Sequence, residues 1–246
     1  MPEPTPLVLL HPFPLDASCW APVAPLLAAE REAVTLEFPG LGAAPPVESP
    51  SVDGFADVVA ERIAGMRGGR AAVCGLSLGG YAALSLAARH PDRVAALVLA
   101  NTRAEADTPE AAEGRHRSAA LVRESGTAPF LDDFIPRMVA PGDDASRDAA
   151  RAIADRQDPE AVAGALEALA GRADRRADLP GMAQPALVIV GTEDALTPPP
   201  FSETLVAGLP DAELVVIPGA GHLTALERPE AFAAAVGPFL ARRLGP

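Results

Sequence analysis

Short apolar runs alternate along this chain with longer stretches in which apolar residues recur at helical spacing. The runs fall at residues 7–10 (LVLL), 34–38 (VTLEF), 71–74 (AAVC), 94–99 (VAALVL), 186–191 (ALVIVG) and 214–217 (LVVI). Each is short and nearly continuous, the pattern of a strand buried on both faces rather than on one. Between them the period changes. Over residues 52–66, Phe55, Val58, Val59, Ile63 and Met66 recur every three or four positions, so the spacing predicts an amphipathic helix. A second helix is predicted over 78–89, closed by His90-Pro91, because the residue before a proline is driven out of the helical region. Six strands alternating with helices predict an α/β fold, a parallel sheet with helices on both faces.

Residues 103–180 depart from this alternation. They are rich in Ala, Arg, Asp and Glu and contain no strand-like run. Helices are predicted near 109–124, 128–139, 145–156 and 159–172, and Phe130, Phe134, Ile135 and Met138 fall on one stripe of the second. That stripe serves either as a pocket lining or as packing among these helices. The segment's arginines are read as solvated, with a carboxylate clamp as the minor alternative for any one of them.

Composition narrows the function. The chain has 246 residues, enough for one domain with a sizeable core, and 49% of them are hydrophobic. The formal net charge is −13, and every cation other than histidine is Arg. Such a balance argues against nucleic acid or an anionic membrane as partner. Residues 1–6 (MPEPTP) carry no basic region or long apolar run, so neither a signal peptide nor a membrane span is expected and a cytoplasmic location follows. Two cysteines, Cys19 and Cys74, make no disulfide framework; Cys74 reads as a small buried hydrophobe. Scattered histidines, no C-x-x-C pair, no phosphate loop and no dinucleotide fingerprint lead to the expectation of no metal and no cofactor.

Candidate chemistry centres on Gly75-Leu76-Ser77-Leu78-Gly79, a G-x-S-x-G that follows an apolar strand and opens an alanine-rich helix. This is the setting of a nucleophile elbow. Glycines on either side of the serine let strand and helix approach closely, and the Leu78 N–H, at a helix N-terminus, is placed to meet a developing oxyanion. Ser77 is a weak nucleophile by itself and requires a base. His222, in Gly219-Ala220-Gly221-His222 just past the last strand, has the pKa range for that work. Asp194, in Thr192-Glu193-Asp194 just past the strand at 186–191, is the candidate for orienting the imidazole, with Glu193 as fallback. His90 reads as a helix end, His116 as exposed, and His11 as shaping the loop after the first strand. The order Ser…Asp…His is that of α/β-hydrolases.

Three motifs, GLSLGGY, GTEDALTP and GAGHLTALERPEAF, resemble those of the cap-bearing α/β-hydrolases. The chain looks most like small esterases, cofactor-free haloperoxidase or perhydrolase-like enzymes, and enol-lactonase-like enzymes. The resemblance implies a core formed by residues 1–102 and 181–246, with 103–180 inserted as a helical cap. It implies a serine hydrolase acting on a small, mostly apolar ester, lactone or thioester through an acyl-enzyme on Ser77. Perhydrolysis, C–C bond hydrolysis or lyase chemistry, and more remotely a binding module, are the alternatives. It also makes the Phe13 N–H the second oxyanion donor, after Leu78. Two departures stand out. Pro12 replaces the family's usual glycine, and only six residues precede the first strand, where the family usually has an antiparallel hairpin. Phe13-Pro14 is a candidate cis peptide. Trp20, the single tryptophan, reads either as a pocket wall with Phe130, Phe134 and Met138 or as packing under the loop.

Overall fold

A computed structural model of the protein describes residues 4–28 and 31–245. In chain order it comprises β1 (Leu7–Leu10), α1 (Ala24–Leu27), β2 (Ala33–Leu36), α2 (Val52–Ala64), β3 (Ala71–Leu76), α3 (Leu78–Arg89) and β4 (Val94–Ala100). There follow α4 (Pro109–Ser125), α5 (Ala128–Phe134), α6 (Asp144–Ala154) and α7 (Pro159–Ala170). The chain ends with β5 (Ala186–Gly191), α8 (Pro199–Gly208), β6 (Ala212–Ile217), α9 (Thr224–Glu227) and α10 (Pro229–Leu244).

The strands form one sheet in the order β2-β1-β3-β4-β5-β6. All five pairings are parallel, with Leu10 beside both Leu36 and Gly75, and Gly75 beside Leu99. Every residue of β1, β3, β4 and β5 is buried. Because side chains alternate between faces, complete burial means that both faces are covered, as the unbroken apolar runs require. Helix α3 packs on β1, β3 and β4, with α2 against it, while α10 packs on β4 and β6, with α1 against it. The edge strand β6 instead leaves Leu214 and Val216 partly in solvent.

Helices α4–α7 lie between β4 and β5 in the chain. Their starts are written locally: the side chains of Thr108, Asp143 and Asp158 accept backbone N–H groups of the first turn, and Pro109 and Pro159 take the first helical position. The helix expected over 128–139 stops at Phe134 and tightens into a 3-10 turn at Ile135–Arg137. Pro136 is the cause, since it lacks an N–H and its ring crowds the preceding turn. Among the described residues no helix is long and apolar enough to cross a membrane.

Candidate active site

Parallel strands bring their carboxyl ends to one rim, where β1, β3, β4, β5 and β6 deliver their following loops. Ser77 stands between β3 and α3 with φ 54° and ψ −110°, a conformation a β-carbon rarely tolerates. What holds it there is close packing. A β-carbon on Gly75 would lie 2.1 Å from the Gly79 carbonyl oxygen, and one on Gly79 would lie 2.1 Å from that of Leu10. The elbow is thus pressed against β1 as well as against its own strand. The Ser77 carbonyl accepts from the Tyr81 N–H (3.0 Å) and the Thr102 hydroxyl (3.0 Å), which tie it to α3 and to the segment after β4.

His222 and Asp194 are both buried. His222 Nδ1 lies 3.0 Å from each Asp194 carboxylate oxygen. Asp194 also accepts from the N–H groups of Leu196 and Thr197 (2.9 Å each), the Thr197 hydroxyl (2.7 Å) and Asn101 Nδ2 (2.9 Å). Burial alone would raise this carboxyl, but the neighbouring His222 and these donors outweigh it and hold Asp194 well below the usual carboxylate range. It therefore stays ionised and acceptor-only, which requires the proton at Nδ1 and leaves Nε2 as the basic nitrogen. Among the described residues Nε2 has no protein partner, whereas Nδ1 carries every hydrogen bond of the ring.

The histidine loop is braced from three sides. Its His222 and Leu223 N–H groups donate to the Met138 carbonyl (3.0 and 3.1 Å). The buried Glu227 carboxylate accepts from Ala140, Gly221 and Leu223 N–H (2.8, 2.9 and 3.0 Å). Asn101, with φ 47° at the end of β4, donates to the Gly221 carbonyl (3.1 Å) and accepts from the Thr224 hydroxyl (2.6 Å). Asn101 thus bridges the acid loop and the histidine loop. Its position just past β4 is the signal the sequence offers for it. Thr197 and Glu227 were missed: their bonds to Asp194, Gly221 and Leu223 span only three to six residues, but within loops, where no periodicity marks them.

Phe13 sits in the loop after β1, and the Phe13-Pro14 bond is cis. The loop is fixed by His11: its Nε2 accepts from the Phe38 N–H (3.2 Å), so Nδ1 carries the proton and donates to the Pro12 carbonyl (3.1 Å). Burial lowers the His11 pKa to about 4, which keeps the ring neutral. Asp16 anchors the loop's far end, accepting from Arg156 Nη2 (3.0 Å) and Gln157 Nε2 (2.9 Å). Leu78 opens α3, so its N–H has no acceptor one turn back. Neither the Phe13 nor the Leu78 N–H has a loop or turn carbonyl partner among the described residues.

Ser77 and His222 line one cavity of about 600 Å³ between the sheet rim and helices α4, α5 and α7. Phe13, Tyr81, Phe130, Phe134, Leu166 and Leu169 supply much of its apolar wall. Two residues expected in that wall are elsewhere. Trp20 is fully buried with its ring centroid 6.0 Å from that of Phe232, so it packs beneath the loop. Met138 is also fully buried; the turn at Pro136 takes it off the stripe of Phe130 and Phe134, and its backbone, not its side chain, serves the site. The arginines expected to be solvated are only partly so: Arg103, Arg115 and Arg172 converge on Asp107. Among the described residues no group of acidic, histidine or cysteine side chains is arranged to hold a metal ion.

A doubly covered parallel sheet with a strained serine elbow and a carboxylate-paired histidine at its carboxyl rim defines a hydrolase of the α/β type. The chain belongs to the alpha/beta hydrolase family, whose pattern residues 7–235 match. Among its relatives is a pimeloyl-[acyl-carrier protein] methyl ester esterase of Aromatoleum aromaticum, 36% identical over 245 residues, covering 91% of this chain and 93% of the relative. A thermophilic esterase from Thermogutta terrifontis, whose structure is described as malate-bound, superposes with a TM-score of 0.94 at 32% identity. The match covers 98% of this chain and 91% of that one. The enol-lactonase from Burkholderia xenovorans LB400 gives 0.89 at 30%, with 97% and 92% covered. This chain is an enzyme of the ester-hydrolysing kind.

Proposed function

We propose that the protein hydrolyses small carboxylic esters with Ser77 as nucleophile, His222 as base and Asp194 as the orienting acid. One observation carries the reading: Nδ1 of His222 is committed to an ionised Asp194, which leaves Nε2 as the base in a cavity that Ser77 also lines. Ser77 Oγ bonds to the acyl carbon while its proton passes to Nε2. The oxyanion that forms is met by the N–H groups of Phe13 and Leu78. Loss of one such donor costs about 2.7–4 kcal/mol of barrier in comparable sites. The imidazolium returns its proton to the alkoxy oxygen as that C–O bond breaks, and the alcohol leaves. Water, deprotonated by His222, then attacks the acyl-serine, and the acid and free Ser77 result.

The apolar wall favours an acyl chain of modest length, and the esterase and lactonase relatives support a carboxylic ester or lactone as substrate class. Residues 103–180 act as the cap that closes over it. Cys19 and Cys74 are free and buried, in keeping with a reducing, cytoplasmic setting. Turnover of p-nitrophenyl butyrate by the wild type and by Ser77→Ala tests the assignment. The variant is expected to fold with an unchanged circular dichroism spectrum and to lose turnover. Retained turnover would remove Ser77 from the mechanism.

A further inference from the structure

The same cavity holds a group of charges that ester hydrolysis does not use. Asp107, seven residues beyond the end of β4, is almost completely buried and meets three guanidinium groups. Its Oδ1 accepts from Arg103 Nη2 (2.6 Å) and Arg172 Nη2 (2.8 Å), and its Oδ2 from Arg115 Nε. Burial opposes ionisation, but the arginines prevail and bring the Asp107 pKa to about 2. Three cations meet one carboxylate, and of these charges Arg103 and Arg115 line the cavity with Asp107, a local positive excess within a chain whose net charge is −13. The remaining charged pair on the cavity wall, Arg137 and Asp133, lies 3.6 Å apart, is well exposed and cancels itself. Glu105, the nearest further acid in sequence, does not line the cavity.

Arg172 does not line the cavity and makes the most contacts: it also donates to the Leu169 and Glu105 carbonyls and lies 4.4 Å over the Tyr81 ring, while its buried Nε has no partner among the described residues. Arg103, which also lies 4.9 Å over the Phe201 ring, and Arg115 make fewer. Both line the cavity, with side chains 18% and 23% exposed. Among the described residues Arg103 bonds to protein only through Nη2, and its buried Nε has no partner; Arg115 bonds only through Nε. Their remaining N–H groups form donor edges fixed in direction by Asp107. The group is tied to the nucleophile, because Thr102, next to Arg103, donates to the Ser77 carbonyl, and Tyr81, beneath Arg172, begins the next turn after Ser77.

We propose that Arg103 and Arg115, positioned by Asp107, bind a carboxylate at the end of the substrate remote from the scissile ester. The preferred substrate is then a monoester of a straight-chain dicarboxylic acid, its methylene chain lying along Phe130, Leu166 and Leu169. Fixed guanidinium edges recognise a carboxylate through paired charge-assisted hydrogen bonds, and the apolar wall between suits methylenes but not a second charge. This rests on the ester-hydrolase reading above and specifies its substrate.

The test compares kcat/KM for monomethyl esters of four- to eight-carbon dicarboxylic acids with the corresponding dimethyl esters and with methyl alkanoates of equal length. The acid-bearing ester of best length is expected to lead its neutral counterparts by about 10- to 100-fold, mostly through KM. Arg115→Gln, and separately Arg103→Gln, are expected to cut that ratio to within about threefold of unity. The ratio is internal to each variant, so a general loss of folded enzyme cancels. Free dicarboxylates of the same length should inhibit wild-type turnover of p-nitrophenyl butyrate competitively, and monocarboxylates far less. Neutral esters turned over as well as acid-bearing ones, or a preference unchanged in both variants, would overturn the proposal and leave the esterase reading intact. No turnover of any ester, neutral ones included, would overturn both.

Discussion

Asp194 and His11 show how a single side chain's surroundings set its role. Asp194 is buried yet ionised, because six hydrogen-bond contacts from four residues address its two oxygens. Asp194→Asn would keep the shape but offer an amide where an acceptor pair is needed, favouring the wrong imidazole tautomer. Its kcat is expected to fall on the order of 10⁴-fold with KM little changed; a loss below tenfold would move the orienting role to another carboxylate. His11 is the converse case, a buried ring held neutral. Its pKa falls from 6.5 to about 4, so the unfolded chain binds the extra proton in the window between those values. The stability that its burial contributes is complete above about pH 6.5 and is lost as pH falls towards 4. At full loss this amounts to about 3 kcal/mol. Denaturant midpoints of wild type and His11→Gln between pH 7 and 4 should converge on acidification; parallel curves would contradict the assigned state.

Elements explain why those side chains stand where they do. The elbow exists because β3, α3 and β1 approach more closely than a β-carbon allows at Gly75 and Gly79. Gly79→Ala is expected to push α3 away from β1, lowering the melting temperature and removing most activity; a variant equal to wild type in both would show that the elbow is less tightly held. Glu227 ends the short α9 and clamps the histidine loop to the chain leaving Arg137. Burial pushes its carboxyl up while its three N–H donors work against that. Glu227→Ala strands those N–H groups in the interior at about 1–3 kcal/mol each. Urea denaturation should show a loss of about 3 kcal/mol or more, with kcat reduced because His222 is no longer braced; a change within about 0.5 kcal/mol would rank Glu227 with ordinary surface positions.

At the same scale the sequence was readable where a signal is local. The six strands, α3 and the N-termini of the helices between β4 and β5 follow from unbroken apolar runs, helical spacing and residues such as Thr108, Asp158 and Pro159. Ser77, Asp194 and His222 could be singled out because each lies at a turn just past an apolar strand. Met138 was misplaced although the cause was visible, since Pro136 interrupts the very helix on which the stripe was drawn. Trp20 could not be settled, because its partner Phe232 is distant in sequence. Asn101, Thr197, Glu227 and the arginines around Asp107 act through side-chain bonds within and between irregular segments, and no periodicity reports such bonds.

For the molecule as a whole, a rigid sheet presents its loops at one rim, and helices α4, α5 and α7 roof the cavity they form. The segments joining these helices also reach the loop after β1, through Arg156 and Gln157 to Asp16, and the histidine loop, through Met138 and Ala140. The segment between β4 and β5 is therefore hydrogen-bonded to the loops at the rim; on the proposed reading, substrate choice belongs to that segment and bond breaking to the rim. The central claim is that Ser77 is activated by His222. Covalent labelling by a fluorophosphonate, read by intact mass and peptide mapping, tests it most directly. One adduct is expected, on Ser77, absent in Ser77→Ala and strongly slowed in His222→Ala. Labelling at another residue, or undiminished labelling of Ser77 without His222, would contradict it.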